Sequence, residues 1–322
     1  MVYARVALVL AAAFVWTLPG VVRAQETSAA PAGREPAIVF KAGVDIVTLT
    51  AAVRDRRGRV VRDLQRGDFE VLDAGVARDI SGFHAGDAPI SLAVLLDISG
   101  SMAVGGNIDR ARLAVSVAMG MLNSSDDEAA LFTFDAKLQE VVSFTSDLEA
   151  VRRVSLEGQP WGMTSLYDAI EAAARHVARR ATLHRALLVI TDGVDTGSRL
   201  SAPVVSGIAS SIDVPVYVLT VVTPLDHPGG VLGVVAADGV ASNIGTLADL
   251  SRWTGGDMKV ASVPAHTVEA IRDLFAELRY QYLVTFEAGA APGWHPLEVR
   301  TVNDNLSVHA RSGYMSDPSQ PD

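Results

Sequence analysis

Three short runs of apolar residues constrain this chain more than any other feature in it. Ser91-Leu92-Ala93-Val94-Leu95-Leu96, Ala186-Leu187-Leu188-Val189-Ile190 and Val214-Pro215-Val216-Tyr217-Val218-Leu219 are apolar almost throughout. A strand with one wet face alternates apolar and polar residues. A strand apolar on both faces must be covered on both, as the central strands of a parallel sheet are. Helical periodicity lies before, between and after these runs, over residues 108–122, 148–156, 165–181, 202–212, 244–254 and 267–278, while 129–142 reads as a hairpin. The alternation predicts an α/β fold over residues 89–279: a doubly wound, Rossmann-like, mainly parallel sheet with helices on both faces. The amphipathic stretch 268–278, with Ile271, Leu274, Phe275 and Leu278 at helical spacing, reads as core packing.

The flanks have a different texture. Residues 25–40 begin rich in Ala, Pro and Ser and read as a linker. From Val44 to Val53 apolar residues alternate with threonines, and a polar turn at 55–59 follows. The segments 68–73 and 77–80 then flank a turn at Ala74-Gly75. Residues 41–88 are too few for an independent sandwich. The last part, 280–316, returns to strands at 280–287, 295–301 and 306–310, with a tail at 317–322. The expectation is one small all-β, sandwich-like unit built from both flanks, with the α/β domain inserted between them.

The N-terminus has the layout of a secretory signal peptide. Arg5 precedes an apolar run from Val6 to Leu18, Pro19-Gly20 breaks it, and Val22-Arg23-Ala24 supplies a cleavage site before Gln25. The run is short for a membrane span, and no later stretch is long enough. With no cysteine, neither a lipid-bearing Cys nor a disulfide is available. Loss of residues 1–24 removes Arg5 and Arg23 and no acid, moving the net charge from −10 to −12. So acidic a chain carries no electrostatic footprint for nucleic acid or for an anionic membrane surface. The expected location is exported: periplasmic, envelope-associated or secreted.

At the end of the first apolar run stands Asp97-Ile98-Ser99-Gly100-Ser101. A carboxylate and two hydroxyls at i, i+2 and i+4 leave the carboxyl end of a buried strand, where ligands bind in α/β sheets. Only hard oxygens are offered, which suits Mg²⁺, Mn²⁺ or Ca²⁺ rather than zinc. Thr164 stands at the mouth of a helix, and Asp192-Gly193 ends a second buried run. Taken alone, Asp97 could close a turn, Thr164 could cap a helix, and Asp192-Gly193 could be a plain turn. Asp195 lies near enough in sequence to tune or rim the group, although it and Asp168 also read as ordinary loop and helix acids.

Together, and in this order, these residues resemble the metal-ion-dependent adhesion site of von Willebrand factor A domains. The resemblance implies Ser99, Ser101 and Thr164 as direct ligands of a divalent cation, Mg²⁺ foremost, with Asp97 and Asp192 acting directly or through water. It implies a protein partner that presents an Asp or Glu to the ion's open position. Residues 53–75, 190–201 and 282–314 are similar to a bacterial group described as VWFA-related acidobacterial domain proteins, and this extends the resemblance over nearly all of the chain after the leader.

Enzyme readings rank lower. Gly-x-Ser-x-Gly and the phosphate-binding Gly-x-x-x-x-Gly-Lys-Ser/Thr are both missing from the sequence. Histidines at 84, 176, 184, 227, 266, 295 and 309 are scattered and read mostly as surface or capping residues. The expectation is a binding module and not an enzyme. The alternatives are an envelope assembly or scaffold factor that binds through its β unit with a structural metal and, further off, a hydrolase. The long glycine-rich loop 223–242 reads either as a cover for the upper face or as an insertion without fixed structure.

Overall fold

A computed structural model describes residues 45–123, 125–225 and 240–316. The expected signal peptide, the linker, the tail and most of the loop after residue 225 lie outside the described residues. The elements run β1 (Ile46–Arg54), β2 (Phe69–Asp73), β3 (Val76–Arg78), β4 (Ile80–Asp87), β5 (Ile90–Asp97), α1 (Asn107–Met121), β6 (Glu128–Phe134) and β7 (Leu138–Thr145). They continue with α2 (Leu148–Arg152), α3 (Leu166–Ala178), β8 (His184–Thr191), α4 (Ala202–Ser211), β9 (Val216–Val221), α5 (Val240–Trp253) and β10 (Met258–Ala261). Last come α6 (Pro264–Arg279), β11 (Tyr280–Glu287), β12 (Gly293–Thr301), β13 (Ser307–Ala310) and β14 (Gly313–Ser316).

Six strands form the central sheet in the order β10-β9-β8-β5-β6-β7. All neighbours are parallel except β6 and β7, which make the expected hairpin. The three apolar runs became β5, β8 and β9, side by side. Their alternate residues serve opposite cores. Leu92, Val94 and Leu96 pack with α1, α2 and α6, whereas Ala93 and Leu95 pack with α3, α4 and α5. From β5 the chain moves outward to β6 and then returns to the other side of β5 as β8. The strand order therefore reverses between β5 and β8, and the carboxyl ends at such a reversal are where α/β sheets bind ligands.

The flanks make two four-stranded sheets, β13-β1-β11-β4 and β14-β12-β2-β3. Each mixes strands from before and after the α/β region, so the insertion inferred from composition is how the chain is built. Their shared core includes Leu49, Val53, Phe69, Val71, Tyr282, Val284 and Phe286.

The differences from expectation are local. The helix expected over 148–156 stops at Arg152, because Ser155, Gly158 and Pro160 offer nothing to continue it. Strand β4 was not anticipated, since ISGFHAGD carries two glycines and no alternation. It is held by backbone pairing to β11 along an edge. Four-residue β10 and β14 are too short to show a period. Helix α5 begins at Val240, inside the segment read as loop.

Candidate metal centre

The sequence-predicted residues lie at or just after the carboxyl ends of β5 and β8 and in the loop before α3. Asp97 is the last residue of β5 and is fully buried. Its Oδ1 accepts the Ser99 backbone N–H at 2.8 Å, which folds the chain sharply after the strand. Its Oδ2 accepts the Thr191 hydroxyl at 2.6 Å, so the ends of β5 and β8 are tied through one carboxylate. Ser99 is buried too, and its Oγ lies 3.2 Å from that of the half-buried Ser101. Ser101 in turn hydrogen-bonds the side chain of Asp192.

Asp192 follows β8 directly. Its Oδ1 accepts the Val194 N–H at 3.2 Å. Gly193 stands between them with φ of 86°, a left-handed conformation that glycine adopts without cost. Gly100 N–H donates to Gly162 O at 3.1 Å, which ties the turn after β5 to the loop before α3.

Thr164 is buried and reaches the site from the loop before α3. That loop is fastened at several points. Trp161 N–H donates to Ile98 O at 2.9 Å, and Ser165 N–H to Asp135 O at 2.8 Å. Thr164 N–H donates to Thr196 Oγ1 at 2.9 Å, and Thr164 O accepts the Thr196 and Gly197 N–H groups. Thr164 does not cap α3. Asp195 does, accepting the Leu166 N–H at 2.9 Å and the Ser198 hydroxyl at 2.5 Å, while Ser198 Oγ accepts the Tyr167 N–H. Asp168 anchors the same region by accepting the Arg199 and Leu200 N–H groups. Asp195 and Asp168 therefore hold the loops around the site.

The structure thus brings Asp97, Ser99, Ser101, Thr164 and Asp192 to one end of the sheet, with Gly100 and Gly193 in the turns between. Thr191 is a participant that the sequence reading missed. Its signal was a hydroxyl immediately before Asp-Gly at a strand end.

The electrostatics of the group are lopsided. Burial pushes the Asp97 carboxyl up to about 7, against the hydroxyl and amide donors that lower it, and the charge of Asp192 adds to the rise. Burial also raises Asp192, opposed by Ser101 and backbone amides. Among the described residues no Lys, Arg or His pairs with either carboxylate. Two buried carboxylates without a counter-charge are unfavourable unless a cation joins them. The donors are all oxygen, and so the residues present fit a hard divalent ion.

Two of the histidines, His184 and His295, are buried. His295 Nδ1 lies 2.7 Å from Asp73 Oδ1 inside the sandwich. A second group of potential ligands, Asp257, Glu277 and His309, gathers where the sandwich meets the α/β region. Arg54 already occupies it, with Nε donating to Glu277 at 2.6 Å and NH2 3.3 Å from Asp257, and Lys259 adds a second cation 3.1 Å from Asp257. It is a structural ion-pair network.

Residues 92–194 match the family model of the von Willebrand factor type A domain, and the chain contains such a domain. No curated protein matches. Among solved structures, a von Willebrand factor type A protein from Catenulispora acidiphila is similar at 12% identity over 86% of this chain and 76% of its own, with a TM-score of 0.44. An aerotolerance-related membrane protein from Bacteroides fragilis is 23% identical over 59% of this chain and 98% of its own, with a TM-score of 0.44. Proximal thread matrix protein 1 of the mussel byssus, whose MIDAS motif holds zinc, is 15% identical over 64% of this chain and 49% of its own, at 0.47. These likenesses are of fold. Among the described residues, no helix is long and apolar enough to cross a membrane.

Proposed function

We propose that this chain is an exported protein-binding module whose von Willebrand factor A domain works through one divalent cation, with Mg²⁺ the first choice and Mn²⁺ or Ca²⁺ next. Ser99, Ser101 and Thr164 are the direct ligands, and Asp97 and Asp192 act directly or through water. The single observation that carries this reading is the pair of buried carboxylates, Asp97 and Asp192, bonded to a cluster of hydroxyls at the strand-order reversal and, among the described residues, lacking a cationic partner. A bound cation supplies charge and one exchangeable position. The hydroxyl-rich donor set leaves that charge largely unquenched, so the position suits a carboxylate from a partner's Asp or Glu.

The test is capture of envelope proteins on the immobilised chain, in Mg²⁺ and in EDTA. Capture that requires Mg²⁺ and is lost in Thr164→Ala supports the reading. Capture indifferent to EDTA would sink it and favour the sandwich as the contact surface.

A further inference from the structure

His295 stands in β12, buried in the sandwich, and both of its ring nitrogens have a partner. Nδ1 lies 2.7 Å from Asp73 Oδ1, and Nε2 lies 2.6 Å from the Ala291 carbonyl oxygen. An imidazole with one proton can donate from one nitrogen only. A carbonyl oxygen accepts and never donates, so Nε2 must carry a proton. Whether Nδ1 carries one too depends on Asp73. Its Oδ2 accepts the Gly289 N–H at 3.0 Å, Arg78 Nε at 3.1 Å and the Tyr314 hydroxyl at 3.3 Å, with Arg78 NH2 2.8 Å away. Burial works against ionisation, but the bonds from His295 and Arg78 win and hold the carboxyl below its ordinary range. An ionised carboxylate only accepts, so Nδ1 also donates and the ring is an imidazolium.

The two acceptors belong to different parts of the sandwich. Asp73 ends β2, whereas Ala291 lies in the turn 288–292 between β11 and β12. Strand β11 belongs to one sheet and β12 to the other, so the chain passes between the sheets at this turn. Gly289 seats the turn on the charged cluster. A Cβ there would lie 2.7 Å from Arg78 NH2 and 2.8 Å from both Asp73 Oδ2 and His295 Cε1.

From this geometry we infer that His295 is a proton-operated latch: as imidazolium it fastens the turn between the two sheets to the end of β2, and as neutral imidazole it releases that turn. The titratable and charged groups that face the ring are Asp73 of β2, Arg78 of β3 and Tyr314 of β14, whose ring stacks on it at 4.9 Å. The turn 288–292 carries none. On deprotonation the proton facing the carboxylate is the better held, because that bond joins two charges. Nε2 is then left bare, two lone pairs oppose each other across the former bond, and Ala291 O must move away.

The bonds to Ala291 and Asp73 raise the folded value of His295 above its ordinary 6.5, with burial and Arg78 opposing. The latch therefore contributes fully below 6.5 and opens as pH climbs through the folded value. The contribution of Asp73 has the opposite sign, and it is lost only as pH falls through a folded value below 3.8.

The test is a ring-nitrogen NMR titration of the full chain carrying nitrogen-labelled histidine, with the His295 signals assigned by their absence from His295→Gln. Hydrogen exchange of the amides at 289–291 is followed over the same pH range. The expected result is imidazolium shifts at both ring nitrogens at pH 6.5 and a midpoint above that value. Across the midpoint, after correction for the intrinsic pH dependence of exchange, protection at 289–291 should fall about tenfold, as the loss of one charge-assisted hydrogen bond implies. His295→Gln, which does not titrate, should show no such step. A neutral ring at pH 6.5 would overturn the latch, as would a raised midpoint crossed without any change in protection. A step of equal size in His295→Gln would assign the opening to another group and overturn it as well.

Discussion

Thr164 stands where a helix cap is expected, but Asp195 makes the capping contact. A threonine just before a helix looks like its cap, yet the capping oxygen comes from Asp195, 29 residues beyond the Leu166 amide that it accepts. This predicts different outcomes for two small substitutions. Asp195→Ala should lower stability by about 1 kcal/mol, the usual cost of losing a cap, seen as a shifted urea midpoint. Thr164→Ala should leave that midpoint nearly unchanged while abolishing metal-dependent binding. An unfolded Thr164→Ala protein would instead indicate a purely structural ion. The motif Asp97, Ser99, Ser101 was legible because three oxygen donors fall within five residues. Thr191 was not, because its role is a hydrogen bond made across the fold, and Asp195 was legible as a neighbour of the site but not as the helix cap.

Among the elements, legibility followed burial. Strands β5, β8 and β9 are apolar on both faces because helices cover both, and a continuous apolar run is visible in any sequence. Strands β4, β10 and β14 are edge elements, held mainly by backbone pairing, which leaves little trace in side-chain type. Helix α3 was legible through its buried stripe of Leu166, Ile170, Ala173, Ala174 and Val177. It positions the Thr164 loop by resting that stripe on the sheet. Ile170→Ala, at a fully buried position, should therefore cost about 2–5 kcal/mol. In denaturant the midpoint should fall without a change in slope, and a normal midpoint would mean that the helix does not anchor the site.

Over the whole molecule, the sandwich and the α/β region are joined by a buried ion pair. Glu277 of α6 is fully buried against Arg54 of β1, with Tyr217 and His309 also bonded to it. Composition revealed that two flanks must combine, but not this joint, since an Arg and a Glu 223 residues apart give no signal. Removing one partner of a buried pair strands the other, so Arg54→Ala should destabilise by about 3–5 kcal/mol. Arg54→Met/Glu277→Leu should recover most of that loss. The hydrogen bond to Glu277 raises His309 above its ordinary 6.5, helped by the charges of Glu277 and Asp257 and opposed by burial and Arg54. A raised folded value means that the contribution is complete below 6.5 and is lost as pH climbs through the folded value. Melting curves of the native chain and His309→Gln should therefore differ more at pH 5.5 than at pH 9. An equal gap at both would show that the histidine acts by packing alone.

The central claim is that five oxygen-bearing side chains at the strand-order reversal hold one divalent cation. Titration of the full chain with Mn²⁺, followed by the spin-resonance signal of the free ion, tests it most directly. The account predicts one site per chain, displaced by Mg²⁺ and absent in Asp192→Ala of unchanged circular dichroism. No site in the native chain, or an undiminished one in Asp192→Ala, would contradict it.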